Sequence, residues 1–151
     1  MKRNPLAASV CLMALALSAC SDHRQAANAK LCADFKAKPA PAMAAADGAG
    51  PVEDCARRWA YSLAASQDDA SVVADAVVAA CTTQLSRWNQ QTLNQPGAEG
   101  EAISVTTGQP TTPLAEHGIF TRNRALFFVV QARAGNCPAP PIANGAPEGV
   151  S

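Results

Sequence analysis

Residues 55–81, CARRWAYSLAASQDDASVVADAVVAAC, have a symmetric internal plan. Two apolar, alanine-rich runs flank the polar break Gln67-Asp68-Asp69, and Cys55 and Cys81 close the two ends. Each cysteine lies 13 residues from Asp68. Folded as an antiparallel helical hairpin, the stretch puts both sulfurs at one height, about 20 Å from the turn at ~1.5 Å rise per residue. A disulfide can then join the two helices.

Just before this stretch, Pro51 suits the first position of the first helix, and Glu53 and Asp54 complement the positive end of its dipole. Val52, Cys55, Trp59, Leu63 and Ser66 fall on one side of that helix, with Arg57, Arg58 and Tyr61 off it. Asp68 or Asp69 can cap the second helix. Its stripe Val73, Val77, Cys81, Leu85 and Trp88 runs on toward Leu93, where Asn94, Pro96 and Gly97 stop it. The second helix therefore overhangs the first, and Trp88 needs cover from elsewhere.

Residues 95–116 show no clear pattern and read as a loosely draped or disordered connection. A third helix starts at Ile119, with Ile119, Leu126, Phe127, Val130 and Ala134 on one face and Gly135 as its stop. Its apolar content makes it the expected cover for Trp88 and the open side of the hairpin. Upstream, Asn28 to Lys36 carries a short helical pattern, and the Pro- and Ala-rich run to Gly50 reads as linker. The Gly/Pro-rich residues 138–151 read as a disordered tail.

The totals fit one small domain. Of 151 residues, 48 % are apolar, but 34 of those are alanine and only 5 % of the chain is aromatic. A core this thin calls for covalent staples. The formal net charge is zero, which gives no footing for nucleic-acid binding.

Residues 1–19 have the layout of a signal peptide. Lys2 and Arg3 form a basic start, and Leu6 to Leu17 is an apolar run too short to span a bilayer. The run ends in Leu17-Ser18-Ala19-Cys20, which resembles the lipobox of bacterial lipoproteins at all four positions. That resemblance implies export, cleavage after Ala19, and lipidation of Cys20 as the membrane anchor. Ser21 after the cysteine implies delivery to the outer membrane, facing the periplasm. The layout expected is thus a signal peptide at 1–19, a lipidated tether and linker at 20–50, a helical domain at 51–137 and a tail at 138–151. Residues 51–137 carry the signature of no named family.

Cys11 departs with the signal and Cys20 is acylated, so Cys32, Cys55, Cys81 and Cys137 remain. Four cysteines allow three pairings; the hairpin symmetry selects Cys55–Cys81 and leaves Cys32–Cys137. Metal binding has no support, since there is no C-x₂-C and no close histidine partner. No catalytic motif is present either. Glu116 and His117 read as a solvated helix start rather than an acid–base pair. Trp59, Tyr61 and Trp88 read as core before they read as a sugar-binding surface. Arg122, Arg124 and Arg133 fall short of a polybasic cluster.

The expected fold is all-α: a disulfide-stapled hairpin with a third helix packed across it. The expected function is non-enzymatic and needs no cofactor. It is that of a lipid-anchored envelope component with a protein or glycan partner. The alternative is a small periplasmic inhibitor or enzyme accessory acting through residues 104–113.

Overall fold

The computed structural model describes residues 26–36, 48–97, 102–104 and 106–150 of the chain, and among these four helices carry the fold. In order they are α1 (Ala49–Leu63), α2 (Ala70–Ala80), α3 (Thr82–Leu93) and α4 (Pro113–Ala134). Two-residue antiparallel pairs add β1 (Ala102–Ile103) with β2 (Pro110–Thr111), and β3 (Ile142–Ala143) with β4 (Ala146–Pro147). The signal segment, Cys20 and most of the linker lie outside the described residues.

Helix α1 starts two residues before Pro51. Its N-cap is Gly48, at φ 66°, where a Cβ would collide with the Trp88 indole. Only glycine suits both that left-handed backbone and that proximity. The earlier start puts Glu53 and Asp54 beyond the first turn. They serve instead as i,i+4 partners of Arg57 (3.3 Å) and Arg58 (2.7 Å).

The hairpin is as its symmetry requires, with Cys55 bonded to Cys81 at a Cα–Cα distance of 5.9 Å. Asp69 holds the N-cap position of α2 without a side-chain cap bond. The second helix, however, is broken at Cys81, where φ −99° and ψ 14° depart from helical values. Beside the break, Thr82 Oγ1 donates to the Ala79 carbonyl at 2.7 Å, a back-bond of the type that bends helices. The overhang predicted for the second helix is thus a separate element, α3, set off at the staple.

Helix α4 lies across the hairpin, making its largest contacts with α1 and α2. It begins six residues before Ile119, because Thr112 Oγ1 accepts from Ala115 N (3.2 Å) and Pro113 occupies the first turn. Its buried face is His117, Thr121, Ala125, Phe128, Val129 and Ala132; of the expected set only Leu126 packs against the core, while Ile119, Phe127, Val130 and Ala134 are exposed. Phe127 and Val130 are 50 % and 49 % exposed. Small residues face the hairpin here, with Ala125 and Ala132 on α4 and Ala56 and Ala60 on α1 all buried. Alanines let two backbones approach closely, while Phe128 and Val129 fill the space beside them and Phe127 and Val130 are left on the outer face.

Helix α4 stops where expected, with Gly135 as its C-cap in a right-handed conformation. Asn136, at φ 47°, is the left-handed residue. The bonds Asn136 N to Arg133 O (3.1 Å) and Cys137 N to Ala132 O (2.9 Å) complete a Schellman motif. Gly135 serves another purpose: a Cβ there would stand 2.6 Å from Cys137 Sγ and 3.2 Å from Cys32 Sγ.

Residues 138–150 follow a defined path in place of an open tail. Asn144 (φ 53°) and Gly145 (φ 80°) form the two-residue turn between β3 and β4, the pair that such hairpins favour. Arg58 Nη1 donates to the Glu148 carbonyl at 2.6 Å, and Val150 packs on the core.

Candidate functional site

The second disulfide organises one end of the molecule. Cys32 and Cys137 are bonded at a Cα–Cα distance of 5.3 Å across 105 residues. Residues 29–32 form a turn rather than the expected helix. It is held by Asn28 N donating to Gly135 O (2.8 Å) and by Cys32 N donating to Asn28 O (3.1 Å). Tyr61, expected off the buried stripe of its helix, is 2 % exposed. Its hydroxyl accepts from Ala33 N (3.1 Å) and lies 3.3 Å from Gln131 Oε1. Phe35 meets the Tyr61 ring edge-on, with centroids 5.1 Å apart. Tyr61 thus docks the N-terminal segment onto α1 and α4.

Beside this junction runs an open groove of about 340 Å³, lined by Lys30 and Leu31, by Arg57 of α1, and by Arg124, Phe127 and Phe128 of α4. Arg57 and Arg124 both donate to the same oxygen, Glu53 Oε1. Both guanidiniums lie over the Phe128 ring, at 5.0 Å and 4.8 Å from its centroid. Two cations against one carboxylate leave the groove positive.

A second concavity, about 330 Å³, is lined by Trp88, Thr106, Glu116, His117, Phe120 and Asn123 among others. His117 is buried here instead of starting a solvated helix. Its ring stacks on Trp88, with centroids 3.6 Å apart and planes 14° apart, and its Nδ1 lies 2.8 Å from Asn89 Oδ1. An amide oxygen there takes a proton from Nδ1. Burial holds the imidazole below its ordinary pKa, so the neutral form is the one packed. Phe120 closes on Trp88 edge-on at 5.5 Å. Helix α4 therefore supplies the predicted cover for Trp88, and His117 joins α3 to α4 as a packing residue.

The remaining candidates separate. Arg133 donates to the carbonyls of Ala64 (3.0 Å), Ser66 (3.0 Å) and Asp68 (2.8 Å), tying down the hairpin turn. Arg122 pairs with Asp75 at 2.8 Å on an exposed surface. Of the three arginines only Arg124 faces the groove. Trp59, Tyr61 and Trp88 form no common aromatic surface, since Tyr61 binds the N-terminal segment and Trp88 binds α4.

Within the expected loop, residues 102–104 and 106–111 fold around Ser104, which is 3 % exposed. Its hydroxyl accepts from Thr106 N and Thr107 N (3.3 Å each), and its N–H donates to Gln109 O (2.9 Å). The resulting tip, residues 106–109, is exposed.

Among the described residues, no group of three or more His, Cys, Asp or Glu side chains is placed to hold a metal ion. No helix among them is long and apolar enough to cross a membrane. The groove escapes sequence reading because its cations, at positions 30, 57 and 124, come from three separate segments. Only the Arg124–Phe127–Phe128 spacing is local enough to be read directly. Comparison with protein families, curated proteins and solved structures finds no match to this chain.

Proposed function

We propose that the protein is a non-enzymatic lipoprotein of the bacterial cell envelope. Cys20 carries the lipid that holds it to the outer membrane on the periplasmic side, and the stapled helical domain acts as a binding or structural component. The observation that carries this reading is Leu17-Ser18-Ala19-Cys20, placed directly after a basic start and a short apolar run. Two disulfides support it, since such bonds persist in oxidising compartments outside the cytosol. Detergent phase partition tests the anchor. The native chain is expected in the detergent phase after processing, and a Cys20→Ser chain is expected to lose acyl labelling by fed palmitate. Labelling that survives the substitution contradicts the reading.

A second reading is favoured by the Ser104-braced hairpin, whose exposed tip is pre-organised as an inhibitory loop would be. In that reading the domain inhibits or assists an envelope enzyme through residues 104–113. Deleting the tip should then abolish the effect on that enzyme while leaving the thermal unfolding transition in place.

A further inference from the structure

The groove between the N-terminal turn, α1 and α4 combines positive charge with exposed apolar surface. Glu53 Oε1 is shared by Arg57 and Arg124, so two cations meet one anion, and Lys30 on the rim adds a further cation. Among the described residues no acid pairs with Lys30. Of the roughly five N–H donors that a guanidinium offers, each arginine places one on Glu53. Arg124 Nε is buried without a hydrogen-bond partner. That nitrogen is enclosed, so the donors left for a ligand are the remaining Nη hydrogens of Arg57 and Arg124.

Next to these cations, Leu31 and Phe127 stay 39 % and 50 % exposed, and Val130 continues the apolar strip one turn further along α4. Cations beside exposed aromatic and aliphatic side chains make a surface suited to the headgroup boundary of a membrane. Lys30 follows Cys20 by ten residues. At ~3.5 Å per extended residue, the groove stays within about 35 Å of a lipidated Cys20.

We propose that this groove binds the phosphate of an anionic phospholipid, so that the domain lies against the bilayer that anchors it. Arg57, Arg124 and Lys30 donate to the phosphate oxygens, while the glycerol and first methylenes rest on Phe127 and Leu31. The choice of bilayer lipid over a soluble anion rests on the anchored reading; the positive groove itself does not.

The test uses the full chain purified in an uncharged maltoside detergent. It is titrated calorimetrically with short-chain phosphatidylglycerol, with phosphatidylcholine of equal chain length, and with inorganic phosphate. Phosphatidylglycerol should bind saturably and most tightly. Lys30→Gln and Arg57→Gln should each weaken it about fivefold, the effect of one basic residue at an anionic surface. Arg122→Gln, whose partner Asp75 lies outside the groove, should leave it unchanged. The Lys30 side chain pairs with no acid among the described residues, so its variant keeps the test readable if Arg57→Gln unfolds.

Equal binding of the two lipids, inorganic phosphate matching phosphatidylglycerol, or an unchanged affinity in Lys30→Gln would each overturn the proposal. Acyl labelling of Cys20 reads the anchor separately. Label without lipid selectivity removes the groove alone, and selectivity without label removes the anchor alone.

Discussion

The imidazole of His117 lies flat on the indole of Trp88, 3.6 Å between centroids, with Nδ1 held by Asn89 at 2.8 Å. Three elements of the account meet there: the α3 segment beyond the staple, the second turn of α4, and a titratable group kept neutral by burial. The unfolded chain protonates near the ordinary value of 6.5, and the folded chain protonates lower. The unfolded state therefore binds more protons as pH falls through that window. The stability contribution is fully present above the unfolded value and is lost on acidification toward the folded one.

Thermal melts should accordingly show the midpoint falling between about pH 7.5 and about pH 5.5. His117→Gln, which cannot take up the proton, should be less stable at neutral pH but should flatten that dependence. An unchanged slope in the variant would assign the acid sensitivity to other groups.

The two disulfides should differ in worth. In the chain-entropy account each contributes roughly 3–5 kcal/mol, with the longer loop worth about 1 kcal/mol more. The loops span 105 residues for Cys32–Cys137 and 26 for Cys55–Cys81. Paired serine substitutions followed by denaturant unfolding measure both. A larger loss at Cys55–Cys81 would mean that packing of those two buried sulfurs outweighs loop closure.

Gly135 and Gly118 should respond in opposite directions to alanine. A Cβ at Gly135 meets Cys137 Sγ at 2.6 Å and the Gln131 carbonyl at 3.2 Å, so Gly135→Ala should cost about 1–3 kcal/mol. A Cβ at Gly118 meets nothing within 4 Å. Gly118→Ala, inside α4, should stabilise by about 0.5–1 kcal/mol. Chemical denaturation of the pair reads both signs in one experiment.

Arg133 holds three carbonyls of the hairpin turn with one planar group. Arg133→Ala should cost about 2 kcal/mol, in the range of charged hydrogen bonds. Arg133→Lys should recover little of this, because an ammonium lacks the fork that reaches several acceptors. Full recovery by lysine in the same unfolding assay would show that charge alone suffices.

How far these features were legible depends on whether their cause is local. The spacing of Cys55 and Cys81 about Asp68 specifies the staple, and elimination then gives Cys32–Cys137. Thr112-Pro113 and Asn144-Gly145 are also local signals, a capped helix start and a two-residue turn. Both sit in Gly-, Pro- and Thr-rich surroundings that read as loop, which hides them. The buried face of α4 is harder. Bulk favours Ile119, Phe127 and Val130, whereas close approach to α1 favours Thr121, Ala125 and Ala132, and only the partner helix decides between them. The bend at Cys81 follows from the staple and the Thr82 back-bond acting together, and no periodicity reports it. Tyr61 likewise acquires its role from Ala33 and Gln131, which are distant in the chain.

Lipidation at Cys20, as proposed, would leave its mark on the intact mass of the protein extracted from bacterial membranes. Mass spectrometry should give a mature chain beginning at Cys20, heavier than its sequence by at least a diacylglyceryl group, with Cys32–Cys137 and Cys55–Cys81 both oxidised. A chain beginning at any other residue, or at an unmodified Cys20, would rule the anchor out.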